Sequence, residues 1–168
     1  MITHRGVRVK RAEELLRNLG VREGHSVLDV DCGTAVHTMA AARIVGERGT
    51  VHAVDIHPAT IEMTEKRARK MGLKNVETIY SDLETGLEDG SMDTVLMFNC
   101  LKGRRNRSEI MKEMHRVVKT DGVVFVRESG MGDDKVNELM LKDGYFNLRG
   151  KILNTLKYQK IEGGFHEI

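Results

Sequence analysis

The chain has 168 residues, with 27 Lys and Arg against 25 Asp and Glu for a formal net charge of +2. At about 150 residues per domain that length makes one domain with a sizeable core, and the near-even charge balance excludes a strong overall pull towards nucleic acid or anionic membrane. Hydrophobic residues at 40 %, 17 Gly and a single Pro exclude a disordered or Pro-rich chain, while three Tyr, four Phe and no Trp exclude an aromatic stacking platform. Cys32 and Cys100 lie far apart and outside any C-x-x-C pair, which excludes a disulfide framework and a thiolate zinc site and fits a reduced, cytoplasmic setting. The seven His are scattered without metal-ligand spacing, so no metal is expected. The stretch MITHRGVRVKRAEELL has no apolar h-region, and no apolar run approaches the roughly 18 residues of a membrane span. The expectation is one domain over 1–168, with an N-terminal helix in 1–24 and a core of sheet and helices in 25–162.

In chain order, short Val- and Ile-rich runs alternate with longer amphipathic stretches, the pattern of repeated βα units. Ala12, Leu15, Leu16 and Leu19 recur at helical spacing and Gly20 stands at the C-terminal cap. Ser26 to Val30 reads as a buried strand. Val36, Met39, Ala40 and Ile44 mark a helix ended near Gly46, followed by a strand from Thr50 to Ile56. Pro58 suits the first turn of the next helix, with Ile61, Ala68 and Met71 on one face and Gly72 past its end. Strands are expected over Val76 to Tyr80 and Thr94 to Phe98, separated by the acidic segment ETGLEDGSMD, with Asp93 entering the second of them. Ser108 is expected to cap a helix carrying Ile110, Met111, Met114, Val117 and Val118, then a turn at Thr120-Asp121-Gly122 and a strand from Val123 to Arg127. Asp133 or Asp134 opens a last short helix ending near Gly144. In the tail, Asn154-Thr155 separates two alternating runs, as a hairpin turn does. The sum is an α/β, Rossmann-like, doubly wound fold: a mainly parallel seven-stranded sheet closed by a C-terminal antiparallel hairpin.

In an open parallel sheet the ligand sits outside the carboxyl ends of the strands. There the chain carries VLDVDCGTA, then AVDIHP, then SDL, then EIMKEMHRVVKTDGVVFV, in that order. This series resembles the class I S-adenosylmethionine-dependent methyltransferases, most closely the small-molecule type of ubiquinone and menaquinone biosynthesis, over roughly Glu13 to Glu162. The resemblance implies S-adenosylmethionine as cofactor and a set of roles. Asp29 would organise the first loop against the methionine end, and Gly33 with Thr34 would let the backbone approach the ligand. Asp55 would accept hydrogen bonds from the ribose hydroxyls. Ile56 would pack on the adenine, Asp82 would take the adenine amino group beside the Leu83 amide, and Asn99 would lie near the methionine moiety. A nicotinamide site fits worse, because a G-x-G-x-x-G run centred on Gly33 would need Gly at Asp31 and Val36.

The family's loop, D-x-G-x-G-x-G, stands here as Asp29-Val30-Asp31-Cys32-Gly33-Thr34-Ala35, with Asp31 and Ala35 in place of two glycines. Asp31 sets a charge where the cofactor brings an ammonium, a carboxylate and a sulfonium. At about 4 Å and an effective dielectric of 20 a single charge pair is worth roughly 4 kcal/mol, so Asp31 aids binding beside a cation and opposes it beside the carboxylate. Beyond the fourth strand, Lys102, Arg104, Arg105 and Arg107 form a basic run that is either a solvated loop or a holder for a carboxylate, a phosphate or an RNA backbone, the expected partner being an anionic small-molecule acceptor. Direct in-line methyl transfer needs alignment more than any fixed side chain, and no catalytic residue is assigned; His37, bordering the first loop, is the one acid/base candidate. Cys100, outside a Pro-Cys or Thr-Cys context, and the Met residues read as packing. The alternatives are a non-catalytic methyltransferase-like binding or assembly module with a cofactor loop impaired by Asp31 and Ala35, or a methyltransferase of an RNA or protein acceptor. With little chain ahead of the first strand, the acceptor site is either open or completed by another subunit in a homo-oligomer.

Overall fold

The computed structural model describes residues 4–163; residues 1–3 and 164–168 of the expected domain lie outside the described residues. In chain order the elements are α1 (His4–Asn18), β1 (Ser26–Val30), α2 (Val36–Val45), β2 (Thr50–Asp55), α3 (Pro58–Lys70), β3 (Val76–Tyr80), β4 (Met92–Phe98), α4 (Arg107–Val117), β5 (Val118–Arg127), α5 (Asp133–Leu141), β6 (Phe146–Ile152) and β7 (Thr155–Lys160). The strands form a seven-stranded sheet in the order β3-β2-β1-β4-β5-β7-β6. β2 pairs in parallel with β1 and with β3, and β4 with β5, while β7 runs antiparallel to β5 and β6. This is the mainly parallel sheet with a closing hairpin that the segment order predicts. By packing, the chain divides into two compact units, the first ending at Asp82 and the second beginning at Leu83.

In the first unit, β1 buries Val27, Leu28, Asp29 and Val30 without alternation, as a strand covered on both faces must. Helix α2 is buried almost all round through Val36, Thr38, Met39 to Ala42, Ile44 and Val45, and it packs against α1. A helix with apolar residues on every side has no solvent face to offer. Helix α3 is the opposite case. It starts with Pro58 at its first turn, where a missing N–H costs nothing, and buries only Thr64 and Ala68. β2 ends at Asp55, one residue short of the expected Ile56, because Ile56 leaves the ladder and turns outward, 38 % exposed. β3 lies at the sheet's edge and is half-exposed, ending in Tyr80.

In the second unit, Val95, Leu96, Met97, Val124, Phe125 and Val126 form the buried centre of β4 and β5, with Met111 and Met114 from α4 in the core as expected. Four local expectations are corrected. β4 begins at Met92, two residues before Thr94, because Met92 pairs with Val118. That pairing also starts β5 at Val118, where α4 ends, and since Thr94 then pairs with Val123, the expected turn at Thr120-Asp121-Gly122 is a bulge inside the strand. Gly122 suits the bulge, as a Cβ there would sit 2.8 Å from Val118 Cγ2 and 2.9 Å from the Met92 carbonyl oxygen. Ser108 is not the cap of α4: Asn106 holds that place, without a side-chain cap bond. The hairpin turn is Leu153-Asn154 rather than Asn154-Thr155, because Ile152 pairs with Thr155. Both turn residues have positive φ, 44° and 59°, as a two-residue type I′ turn demands, while β-branched Thr155 is fully buried in the strand.

Candidate cofactor site

The site is built in the first unit, where β1 and β2 run side by side with Val30 opposite Val54, so that both strands deliver their carboxyl ends to one edge. The segment after β1 is held to that edge by the Cys32 amide, which donates to the Val54 carbonyl at 3.0 Å. It closes on itself through the Ala35 amide, which donates to the Cys32 carbonyl at 2.8 Å. Between them Asp31, Gly33 and Ala35 all have positive φ, at 55°, 49° and 58°. These are the three positions where the resembled motif has glycine. Asp31 and Ala35 therefore stand in the left-handed region that favours glycine. An L-residue in this region carries roughly 1–2 kcal/mol of strain, with Asp more tolerant than Ala. From α3, the Arg67 guanidinium donates to the Thr34 carbonyl and braces the exposed outer side of the loop.

Two buried carboxyl groups anchor this turn. Asp29 is 3 % exposed and accepts a hydrogen bond from Thr38 Oγ1 of α2 at 2.7 Å. Burial pushes its carboxyl up to about 7, against the Thr38 hydrogen bond and with help from the negative charges of Asp31 and Asp55. Asp55 is 4 % exposed and ties the two strand ends together: Oδ2 accepts from the Gly33 amide at 3.1 Å, and Oδ1 accepts from the His57 amide at 3.0 Å and from His57 Nδ1 at 2.9 Å. Cys32 is buried against Thr64 Oγ1 at 3.7 Å, and burial pushes its thiol up to about 12, which leaves it inert as a nucleophile. The Ser81 amide donates to the Asp55 carbonyl at 3.2 Å, setting the start of the SDL segment beside β2; Asp82 itself is exposed. His37 is half-buried on the first turn of α2.

The second unit holds the remaining predicted residues. Leu83 is half-buried. Asn99 follows β4 with φ 56°, and its Oδ1 accepts from the Ser129 amide at 2.7 Å, so it pins the β4 end to the β5 end. Cys100 is buried, in line with a packing role. The Leu101 amide donates to Glu128 Oε1 at 2.7 Å, and Arg107 Nε donates to the Leu101 carbonyl at 2.8 Å. Arg107 thus braces the basic loop from within, while Lys102 and Arg105 are exposed and Arg104 is half-buried.

The residues of the first unit fit S-adenosylmethionine. Gly33 is exposed, and a Cβ there would find nothing nearer than the Asp31 carbonyl oxygen at 3.7 Å, which leaves room for a ligand to approach the backbone. Beside it stand an acceptor-only carboxylate on Asp55 and an outward apolar side chain on Ile56, matching a polyhydroxylated ring and a flat apolar one.

A methyltransferase domain model matches residues 22–163. The chain belongs to this methyltransferase domain family. Among curated relatives, the methyltransferase domain here is 32 % identical over 122 residues to a demethylmenaquinone methyltransferase of Geobacillus stearothermophilus, covering 72 % of this chain and 52 % of that one. It is 35 % identical over 118 residues to the demethylmenaquinone methyltransferase of Bacillus mycoides, covering 70 % and 50 %. The chain spans about half the length of these relatives. Among solved structures, a SAM-dependent methyltransferase from Aquifex aeolicus superposes with a TM-score of 0.80 at 21 % identity over 95 % of both chains, a likeness of fold.

Sequence reasoning leaves out three residues that hold the candidate site together. Thr38, the third residue of α2, holds the Asp29 carboxyl. Arg67 reaches the first loop from 33 residues away. His57, one of the seven scattered His, holds Asp55 through both its backbone and its ring. Only His57 had a local signal, since a donor two residues after an acid at a strand end is placed to fold back on it.

Proposed function

We propose that the chain is an S-adenosylmethionine-dependent methyltransferase that acts on a small molecule by in-line transfer. The observation that carries this reading is the Asp55–Gly33 hydrogen bond, which joins the acid ending β2 to the glycine of the first loop. The cofactor, when bound, supplies an electrophilic methyl group on sulfur. The chain's own part is to bind and orient: Asp55 for the ribose, Ile56 for the adenine face, Asp82 for the adenine amino group, and the loop from Asp29 to Ala35 for the methionine end. The positive φ at Asp31 and Ala35 supports an intact cofactor loop over an impaired one. The demethylmenaquinone methyltransferase relatives support a quinone-like acceptor. We place Lys102, Arg104 and Arg105 on the acceptor side, drawing an anionic group; Arg107 is given to the Leu101 carbonyl instead. A single domain and a cytoplasmic setting belong to the same proposal, the latter supported by the buried Cys32 and Cys100, which form no disulfide; among the described residues no helix is long and apolar enough to cross a membrane.

The test is transfer of a labelled methyl group from S-adenosylmethionine to fractionated metabolite, RNA and protein pools. Label is expected in the small-molecule fraction, and label confined to RNA or protein would overturn the acceptor class. The Arg104/Arg105 double Ala variant is expected to lose acceptor affinity about tenfold while cofactor affinity holds, since each charge-assisted contact is worth on the order of 1–3 kcal/mol before solvent screening.

A further inference from the structure

The Asp55 carboxylate offers four lone-pair positions, and three are already filled. Oδ2 accepts from the Gly33 amide at 3.1 Å, and Oδ1 accepts from the His57 amide at 3.0 Å and from His57 Nδ1 at 2.9 Å. One position remains. A vicinal diol presents two hydroxyl donors, so the carboxylate cannot serve both while all three protein donors stay. The two amides are fixed by backbone: that of Gly33 in the braced loop, that of His57 at the cap of α3. The imidazole is the one donor on a rotatable side chain, and its side chain is 70 % exposed, so it can swing into water at little cost.

We propose that His57 is an affinity-setting latch on the ribose acceptor: its ring holds Asp55 in the free protein and must leave Oδ1 for a ribose diol to bind. The latch rests on the cofactor reading above, because it concerns how the same carboxylate meets the same ligand. His57 opposes binding by the strength of one exposed charge-assisted hydrogen bond, and it keeps the carboxylate aligned and shielded while the site is empty. The sign of its effect separates it from a positioning residue. A residue that aims Asp55 at the ribose helps binding, and its loss weakens affinity; a latch competes with the ribose, and its loss strengthens affinity.

The experiment is calorimetric titration of the wild-type chain and of His57→Ala with S-adenosylhomocysteine, together with ring-nitrogen NMR of His57 in the free and saturated wild-type protein. The latch predicts that His57→Ala binds about 3- to 10-fold more tightly, the equivalent of one modest hydrogen bond removed from competition. It also predicts that the His57 ring nitrogens move on saturation to the shifts of a water-exposed imidazole. Weaker or unchanged affinity in His57→Ala, or an Nδ1 signal that saturation leaves in place, overturns the latch while the cofactor reading stands. Absence of heat with both proteins, each folded by circular dichroism, overturns the reading and the latch together.

Discussion

Asp29 shows how a single buried carboxyl ties stability to pH. Its folded value of about 7 lies above its ordinary 3.8, so the group binds a proton more tightly in the folded chain than in the unfolded one. The stability it contributes is complete below about pH 4 and is lost as pH rises through 7. Asp29→Asn keeps an acceptor for Thr38 and removes the titration, so thermal melts of the free protein are expected to show the variant more stable than wild type at pH 8, by about 1–3 kcal/mol, with the gap closing towards pH 4. A constant gap across that range would contradict the assignment. Asp31 acts through the same field, since its charge is among the causes that raise Asp29. With Asp55 it makes the loop a negatively charged corner, suited to the sulfonium of the proposed cofactor. Asp31→Gly should therefore weaken S-adenosylmethionine binding about 3- to 10-fold by calorimetry, the scale of a partly screened ion pair; unchanged affinity would mean that its carboxylate faces away. Ala35 shows why the other missing glycine is tolerated. Restoring Gly would relieve roughly 1–2 kcal/mol of left-handed strain, but would give up about 0.8 kcal/mol of buried methyl and 0.4–1 kcal/mol of unfolded-state entropy. The terms nearly cancel.

At the level of elements, α4 matters for more than its core face. Its Glu113 Oε1 accepts from the Thr85 amide at 2.9 Å and the Thr85 hydroxyl at 2.7 Å, and both carboxylate oxygens are held by Arg116. Arg116 in turn donates to the Leu87 carbonyl and to Asp89, so the acidic segment before β4 is fastened to the helix rather than loose. The Arg116 guanidinium and the Thr85 hydrogen bonds hold the Glu113 carboxyl down at about 2. The sign is opposite to that of Asp29: the stability is present above the ordinary value near 4.5 and is lost as pH falls through 2. Glu113→Gln is expected to cost about 1.5–3 kcal/mol at pH 7 in denaturant melts and to shed much of the wild-type loss of stability between pH 5 and 2; an unchanged acid slope would contradict the network. None of this was legible in sequence, where ETGLEDGSMD reads only as a polar connection. Periodicity places strands and helices, because burial acts on every residue of an element. It is blind to a glutamate that reaches 28 residues back, and to a four-residue bulge whose pairing across β4 decides where β5 begins.

Across the whole molecule, the count of seven strands, the closing hairpin and the position of the first loop follow from the alternation of apolar runs along the chain. Asp29 and Asp55 were readable because they lie at the ends of the first two strands, where the resembled family's motif has its acids. The partners that satisfy them were not, since Thr38 and His57 are ordinary residues made specific by contact. The departures from the glycine motif at Asp31 and Ala35 both stand at positive φ, the backbone region that favours glycine. On the proposed function, this loop and Asp55 together form the S-adenosylmethionine site. Isothermal calorimetry of the wild-type chain with S-adenosylmethionine, beside Asp55→Ala as control, tests that most directly. Saturable binding at one site that Asp55→Ala weakens by about tenfold or more is the predicted result; no heat from the folded wild-type chain at millimolar ligand would contradict it.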